Sequence, residues 1–204
     1  MLEAAKTLFL EKGYAGTTME DIAGRAGIAK RTVYNNYPDK EMLFRQIVAD
    51  VLAYAERFAR SIPAELGDSL TARELPAALH DFGQRLALGI LRPEVIALRR
   101  LLIGETRNFP ELPQQYFDRA PGRVMAALAA RFAALDRVGA LHTPDARCAA
   151  EQFAYLIVAM PLDRAMLVGK TPTNQQIAAA ARAGVETFLA RYASPPAKKT
   201  KRGG

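Results

Sequence analysis

The sequence predicts an all-α protein, and three observations carry that expectation. Half of the 204 residues are hydrophobic, yet alanine and leucine dominate, β-branched residues are sparse and tryptophan is absent. That composition favours helices over strands. Apolar residues recur at helical spacing along most of the chain, and glycine and proline punctuate the runs without an alternating strand pattern between them.

The elements follow in order. Leu2, Ala5, Leu8 and Phe9 lie on one helical face, and Gly13 ends the run as a C-cap. Thr17-Thr18-Met19-Glu20-Asp21 offers a capping box, a threonine followed three residues later by an acid. Met19, Ile22, Ala23 and Ala26 form the inner face of a second, short helix, which Gly27 breaks. Ile28 and Val33 anchor a third short helix, which Pro38 terminates. Asp39 is the expected N-cap of a fourth helix, with Leu43, Phe44, Ile47, Val51 and Leu52 facing inward. Helix, short helix, glycine turn, short helix is a helix-turn-helix arrangement, which projects its second short helix from the surface. Further helices are expected near 40–61, 72–91, 93–107, 112–138, 144–169 and 173–192. Breaks are expected at Pro63 and Gly67, Arg92-Pro93, Pro110 to Pro113, Gly139, Pro144 and Thr171-Pro172. Pro161 is expected to kink or interrupt its helix.

Charge is distributed unevenly. The formal net charge is +7, but residues 1–50 hold seven basic and seven acidic side chains. The last ten residues, PPAKKTKRGG, hold four cations and no acid, and predict a disordered basic tail over 194–204. Within the balanced N-terminal region, residues 22–38 hold Arg25, Lys30 and Arg31 and no acid. On the third helix, Ile28 and Val33 turn inward while Lys30, Arg31, Thr32, Tyr34 and Asn35 turn outward. Arginine or lysine can donate to guanine O6 and N7, asparagine can pair with adenine, and hydroxyls and lysines contact phosphates. Arg25 has two open readings, a pair with Glu20 or Asp21 and a reach to phosphate. Tyr37 reads as packing.

Catalytic chemistry is poorly provided for. His80, His142, Ser61, Ser69 and Ser194 sit in no nucleophile motif, and no glycine-rich phosphate loop occurs. The single cysteine, Cys148, forms no metal spacing and reads as an inert buried thiol. No cofactor, metal or enzymatic activity is expected. The most apolar segment, residues 124–135, contains Arg131 and is shorter than the roughly 20 residues that span a bilayer. With no signal peptide recognisable in MLEAAKTLFLEKG, a cytoplasmic location is expected.

Residues 4–44, AAKTLFLEKGYAGTTMEDIAGRAGIAKRTVYNNYPDKEMLF, resemble the DNA-binding domain of TetR-family transcriptional regulators. Residues 99–123, RRLLIGETRNFPELPQQYFDRAPGR, are similar to the AefR-like subgroup of that family's C-terminal domains. The resemblance implies a helix-turn-helix DNA-binding domain over 1–45 and an all-helical ligand-binding and dimerisation domain over 46–193. It implies Thr18 and Lys40 on phosphates, and Lys30, Arg31, Thr32 and Asn35 facing the major groove. Tyr34 would contact backbone or base, and Asn36 would contact phosphate. Three positions depart from the family pattern. Ala29 replaces a usual serine and forgoes a side-chain cap worth about 1 kcal/mol. Arg31 replaces a common glycine, and Asn36 a common tyrosine or histidine.

The resemblance further implies a small, hydrophobic effector. Phe82, Leu86, Leu102, Phe117, Met125 and Tyr155 are candidate pocket residues, each also readable as core. Arg99, Arg100, Glu105 and Arg107 supply nearby polar groups. Small residues in the last two helices, about 144–192, suggest a homodimer interface. The function implied is a ligand-responsive repressor that binds a palindromic double-stranded DNA operator as a dimer. Two alternatives are a non-specific architectural DNA binder and a helical small-molecule carrier or enzyme.

Overall fold

A computed structural model describes residues 1–67 and 70–194. The expected basic tail lies outside the described residues from 195 onward, as does Ser69. The described residues form ten helices: α1 (Leu2–Lys12), α2 (Met19–Ala26), α3 (Lys30–Asn36), α4 (Lys40–Glu65), α5 (Leu75–Ile90), α6 (Pro93–Gly104), α7 (Glu111–Arg119), α8 (Pro121–Arg137), α9 (Ala146–Val168) and α10 (Asn174–Tyr192). The only strand-like pairing among them is one bridge between Leu141 and Ala193.

The chain packs into two compact units. The first comprises Met1–Ala59, Arg92–Val124 and Ala165–Lys170. Its core draws Phe9, Ile22, Val33, Phe44 and Leu52 from the first four helices, and Leu98, Leu102, Leu112 and Tyr116 from α6 and α7. An aromatic cluster binds these parts together. Phe9 and Phe44 meet edge to face at 5.6 Å between ring centroids, Tyr14 and Phe109 at 4.9 Å, and Phe44 and Phe109 tilt together at 5.6 Å. Such pairs add to the apolar area they bury. Ion pairs close the rim. Arg45 of α4 donates to Glu41 at 2.8 Å and to Glu111 of α7 at 2.5 Å, and Arg119 donates to Glu56 at 2.8 Å.

The second unit comprises Arg60–Leu91, Met125–Arg164 and Thr171–Gly204. Phe82, Phe132, Phe153 and Phe188 are fully buried at its centre. Phe153 and Phe188 meet edge to face at 5.0 Å, and Phe188 lies 4.8 Å from Tyr192, whose hydroxyl donates to Gln152 Oε1 at 2.7 Å. Arg131 is buried as well and donates to the Gly67 carbonyl at 2.5 Å. The α9–α10 contact is close because Gly184 has no side chain. A Cβ there would stand 2.7 Å from the Leu156 carbonyl oxygen and 2.9 Å from Ile157.

Three sequence expectations need correction. The single helix expected over 112–138 is two, α7 and α8. Ala120 between them adopts φ −107°, ψ −87°, because a residue before proline is pushed away from helical geometry, and Pro121 then opens α8 where its missing N–H costs nothing. The break expected at Pro63 does not occur, since α4 continues to Glu65. Of the two outcomes expected at Pro161, a kink or an interruption, the interruption does not occur, since α9 runs through to Val168. In both cases buried neighbours, Ile62 and Leu66 in one and Ile157, Val158 and Ala165 in the other, hold the flanking turns. Tertiary packing stabilises a helix more than one lost hydrogen bond weakens it.

Substituting Gly184→Ala forces a methyl group against the Leu156 backbone, which cannot swing aside, as well as against the Ile157 side chain. The expected cost is about 1–3 kcal/mol. It is read as a lower urea midpoint at unchanged denaturant slope, and an unaltered midpoint would contradict the close α9–α10 packing.

Candidate nucleic-acid interface

Local chemistry positions α3. At the start of α2, Thr18 is extended (φ −112°, ψ 161°), and its hydroxyl accepts from the Asp21 N–H at 3.1 Å. Asp21 Oδ2 accepts in return from the Thr18 N–H at 3.1 Å and hydroxyl at 2.9 Å. These bonds, with Lys12 at 3.5 Å, hold the Asp21 carboxyl below the usual carboxylate range. Gly27 closes α2 with φ 65°. A side chain at this left-handed position would be strained, so glycine turns the chain at least cost. The Ile28 N–H bonds back to the Ala23 carbonyl at 3.1 Å. Asp39 caps α4 as the sequence predicts, accepting from the Met42 N–H at 2.8 Å.

Helix α3 buries only Val33, while Ile28 and Tyr37 pack half-buried against the same core. Its first turn has no side-chain cap at Ala29. Six candidate residues, Lys30, Arg31, Thr32, Tyr34, Asn35 and Asn36, are all exposed. They form an outward polar surface of cations, hydroxyls and amides, and the roughly 12 Å major groove admits an α-helix.

Several of these groups have partners within the chain. Lys30 pairs with Glu20 of α2, and its ammonium lies 5.6 Å from the Tyr34 ring centroid. The pair holds the Glu20 carboxyl below its usual range and pushes the Lys30 ammonium above its own. Asn36 donates to the Thr32 carbonyl at 2.8 Å. Lys40 is half-buried, donates to the Tyr14 carbonyl at 2.7 Å and sits 4.3 Å from the Tyr14 ring centroid. Arg25 does not form the expected pair with Glu20 or Asp21. Both Glu11 oxygens accept from it, at 3.0 and 3.1 Å. A partner fourteen residues away on α1 leaves no local signal, whereas Glu20 and Asp21 lie within helical reach.

The candidate pocket residues divide between the two units. Phe82 and Leu86 are buried in the second unit, and Met125 is half-buried there. Leu102 belongs to the core of the first unit. Phe117 and Tyr155 are 56% and 61% exposed and line no interior. Among the described residues no group of three His, Cys, Asp or Glu side chains is placed to hold a metal ion, and no helix is long and apolar enough to cross a membrane.

A short, anchored helix presenting polar side chains beyond a glycine turn defines the helix-turn-helix class of transcription regulators. Comparison with known proteins makes this specific. Residues 1–47 match the family profile of bacterial regulatory proteins of the tetR family, and residues 77–194 match that of the AefR-like transcriptional repressor C-terminal domain. The chain belongs to the TetR family of transcriptional regulators, which are not enzymes. A TetR-family regulator from Mesorhizobium loti is 30% identical, with a TM-score of 0.82 over 94% of each chain. The flavonoid-responsive regulator FrrA is 28% identical, with a TM-score of 0.64 over 96% of each. The negative transcriptional regulator IcaR of the Staphylococcus epidermidis biofilm operon icaADBC is 41% identical over 54 residues. That match spans 26% of this chain and 29% of the relative.

Thr18→Ala removes the α2 cap and is expected to cost about 1 kcal/mol of stability. Thermal unfolding measures it, and a melting temperature unchanged from wild type would mean the capping box is not formed in solution.

Proposed function

We propose that this protein is a dimeric transcriptional repressor that reads a palindromic operator with α3 and is released by a small hydrophobic effector. The exposed face of Lys30, Arg31, Thr32, Tyr34 and Asn35, held by Val33 inside and Gly27 behind, is the observation that carries the reading. In this reading Arg31 and Asn35 address base edges, and Thr18, Asn36 and Lys40 address phosphates. Lys40 does so from its tether on Tyr14. The functional division follows the family, with residues 1–45 binding DNA and residues 46–193 serving effector and partner. Repression is supported by the name of IcaR, a negative regulator.

Dimerisation is supported by α9. Tyr155, Leu156 and Met160 are 61%, 44% and 75% exposed on one face of it. Three large apolar side chains in one helical stripe need a cover. Of the alanines expected to let two copies approach, Ala149, Ala150, Ala154, Ala165 and Ala181 are buried within the chain, Ala178 and Ala180 are half-buried, and Ala159 and Ala179 are exposed. The apolar stripe takes over that role, and two α3 helices related by the dimer axis would read half-sites about 34–36 Å apart.

The effector assignment is supported by FrrA, whose name describes response to a flavonoid, and by the aromatic interior around Phe82, Leu86 and Met125. Helix α4 contributes residues to both compact units and is a covalent route between operator and effector ends. An effector that binds better to a state with misplaced α3 helices lowers operator affinity by its differential binding energy.

Fluorescence anisotropy on DNA upstream of the protein's own gene, at about 150 mM salt with a shuffled duplex alongside, tests the reading. A preference of about a thousandfold for the native duplex is expected. Arg31→Ala should lower that preference by about 1–3 kcal/mol at one base position. Equal affinity for both duplexes would sink sequence-specific recognition there. For the dimer, Met160→Glu is expected to convert the protein to monomer in analytical ultracentrifugation, and a dimer that survives it would place the interface elsewhere.

A further inference from the structure

Every cation around α3 except one is already matched within the chain. Lys12 faces Asp21 at 3.5 Å, Arg25 is gripped by Glu11, and Arg45 is shared by Glu41 and Glu111. Lys40 rests on the Tyr14 carbonyl, and Lys30 is paired with Glu20. Among the described residues of α2 and α3, Arg31 is the cation for which no such pair is formed. Carboxylates thus face Lys12, Arg25, Lys30 and Arg45, while Lys40 is held only by a neutral carbonyl.

The Lys30–Glu20 pair differs from the others in position. Lys30 opens the outward face of α3, while Glu20 stands in the first turn of α2, and both side chains are more than half exposed. An exposed pair contributes little to folding. Glu20 is not needed to cap α2 either, because Thr18 and Asp21 exchange those hydrogen bonds. An acid in a first helical turn is favourable on its own account. That role, however, does not call for a lysine from the next helix to sit on it.

The geometry points to Glu20 as a brake on sequence-independent DNA binding: its carboxylate occupies the Lys30 ammonium that a backbone phosphate would otherwise take. Phosphate attraction supplies nearly all of the affinity for non-specific DNA, and it scales with the number of cations that displace counterions. Neutralising one interface cation removes one such displacement from every duplex, whatever its sequence. Non-specific duplexes are held by this attraction alone, whereas base contacts still hold the operator after the loss. Base discrimination then falls to Arg31, Tyr34 and Asn35. This inference rests on the proposal that α3 enters the major groove.

The test is the salt dependence of binding to a shuffled duplex, measured for the full chain by anisotropy. For Glu20→Gln the slope of log affinity against log salt should become steeper by about 0.9, the value for one additional phosphate contact. Its affinity relative to wild type should then grow on the order of three- to fourfold between about 200 and about 50 mM salt. Glu20→Ala should behave alike. The double variant Glu20→Gln plus Lys30→Gln should return to the wild-type slope, since no freed ammonium remains. Asp81→Asn makes the same charge change at an exposed position of α5, outside the helix-turn-helix, and should leave the slope alone. An unchanged slope in Glu20→Gln overturns the brake and leaves Glu20 as a helix-terminal charge. Equal steepening in Asp81→Asn also overturns it, as an effect of total charge. If wild type binds neither the shuffled duplex nor the upstream DNA, the DNA-binding reading fails first, visibly and before any variant is compared.

Discussion

A helix of seven residues is too short to hold itself in water. Lys30–Asn36 exists because Val33 is fully buried and because Ile28 and Tyr37 pack at its two ends. The core that receives them is therefore the constraint on which the polar face depends. That core is not confined to the first three helices. Phe9, Tyr14, Phe44 and Phe109 form one aromatic cluster, in which Phe109 arrives from the connection between α6 and α7, about a hundred residues further along the chain. The platform for α3 thus depends on residues that the family pattern assigns to the C-terminal region.

Electrostatics around α3 follow the same logic of closure. An even balance of seven acids and seven bases over residues 1–50 becomes, in three dimensions, a set of specific pairs. Each cross-helix pair joins elements that meet at the turn, so the acids serve the fold and set the charge of the surface together. Tyr14 shows how one residue takes several roles: its ring packs on Phe44 and Phe109, its carbonyl accepts from Lys40, and burial pushes its phenol above the usual value.

The second unit is built on different terms. Four phenylalanines fill it, and glycine allows α10 to approach α9 closely. Several of its small residues, Ala149, Ala150, Ala154 and Ala181, are taken up by internal packing, and its large apolar side chains at 155, 156 and 160 are left outside. A surface of that kind suits association, because apolar area is the term that association recovers from water.

The sequence by itself determined the all-α class, the α2 capping box, the glycine turn, the Asp39 cap and the inward set Ile22, Val33, Phe44 and Ile47. Each is set by local chemistry: a hydroxyl three residues from an acid, a residue tolerant of positive φ, or a 3.6-residue repeat. The outward face of α3 was legible for the same reason, once Val33 was placed inside. Tertiary structure alone decided the rest. It matched Arg25 to Glu11 and Lys40 to Tyr14, carried α4 and α9 through their prolines, and recruited α6 and α7 to the core beneath α3. It also left Phe117 and Tyr155 facing solvent. These outcomes depend on which distant surfaces meet, and hydrophobic burial, which decides that, is not directional. Periodicity shows that a residue faces something; only the packed chain shows what.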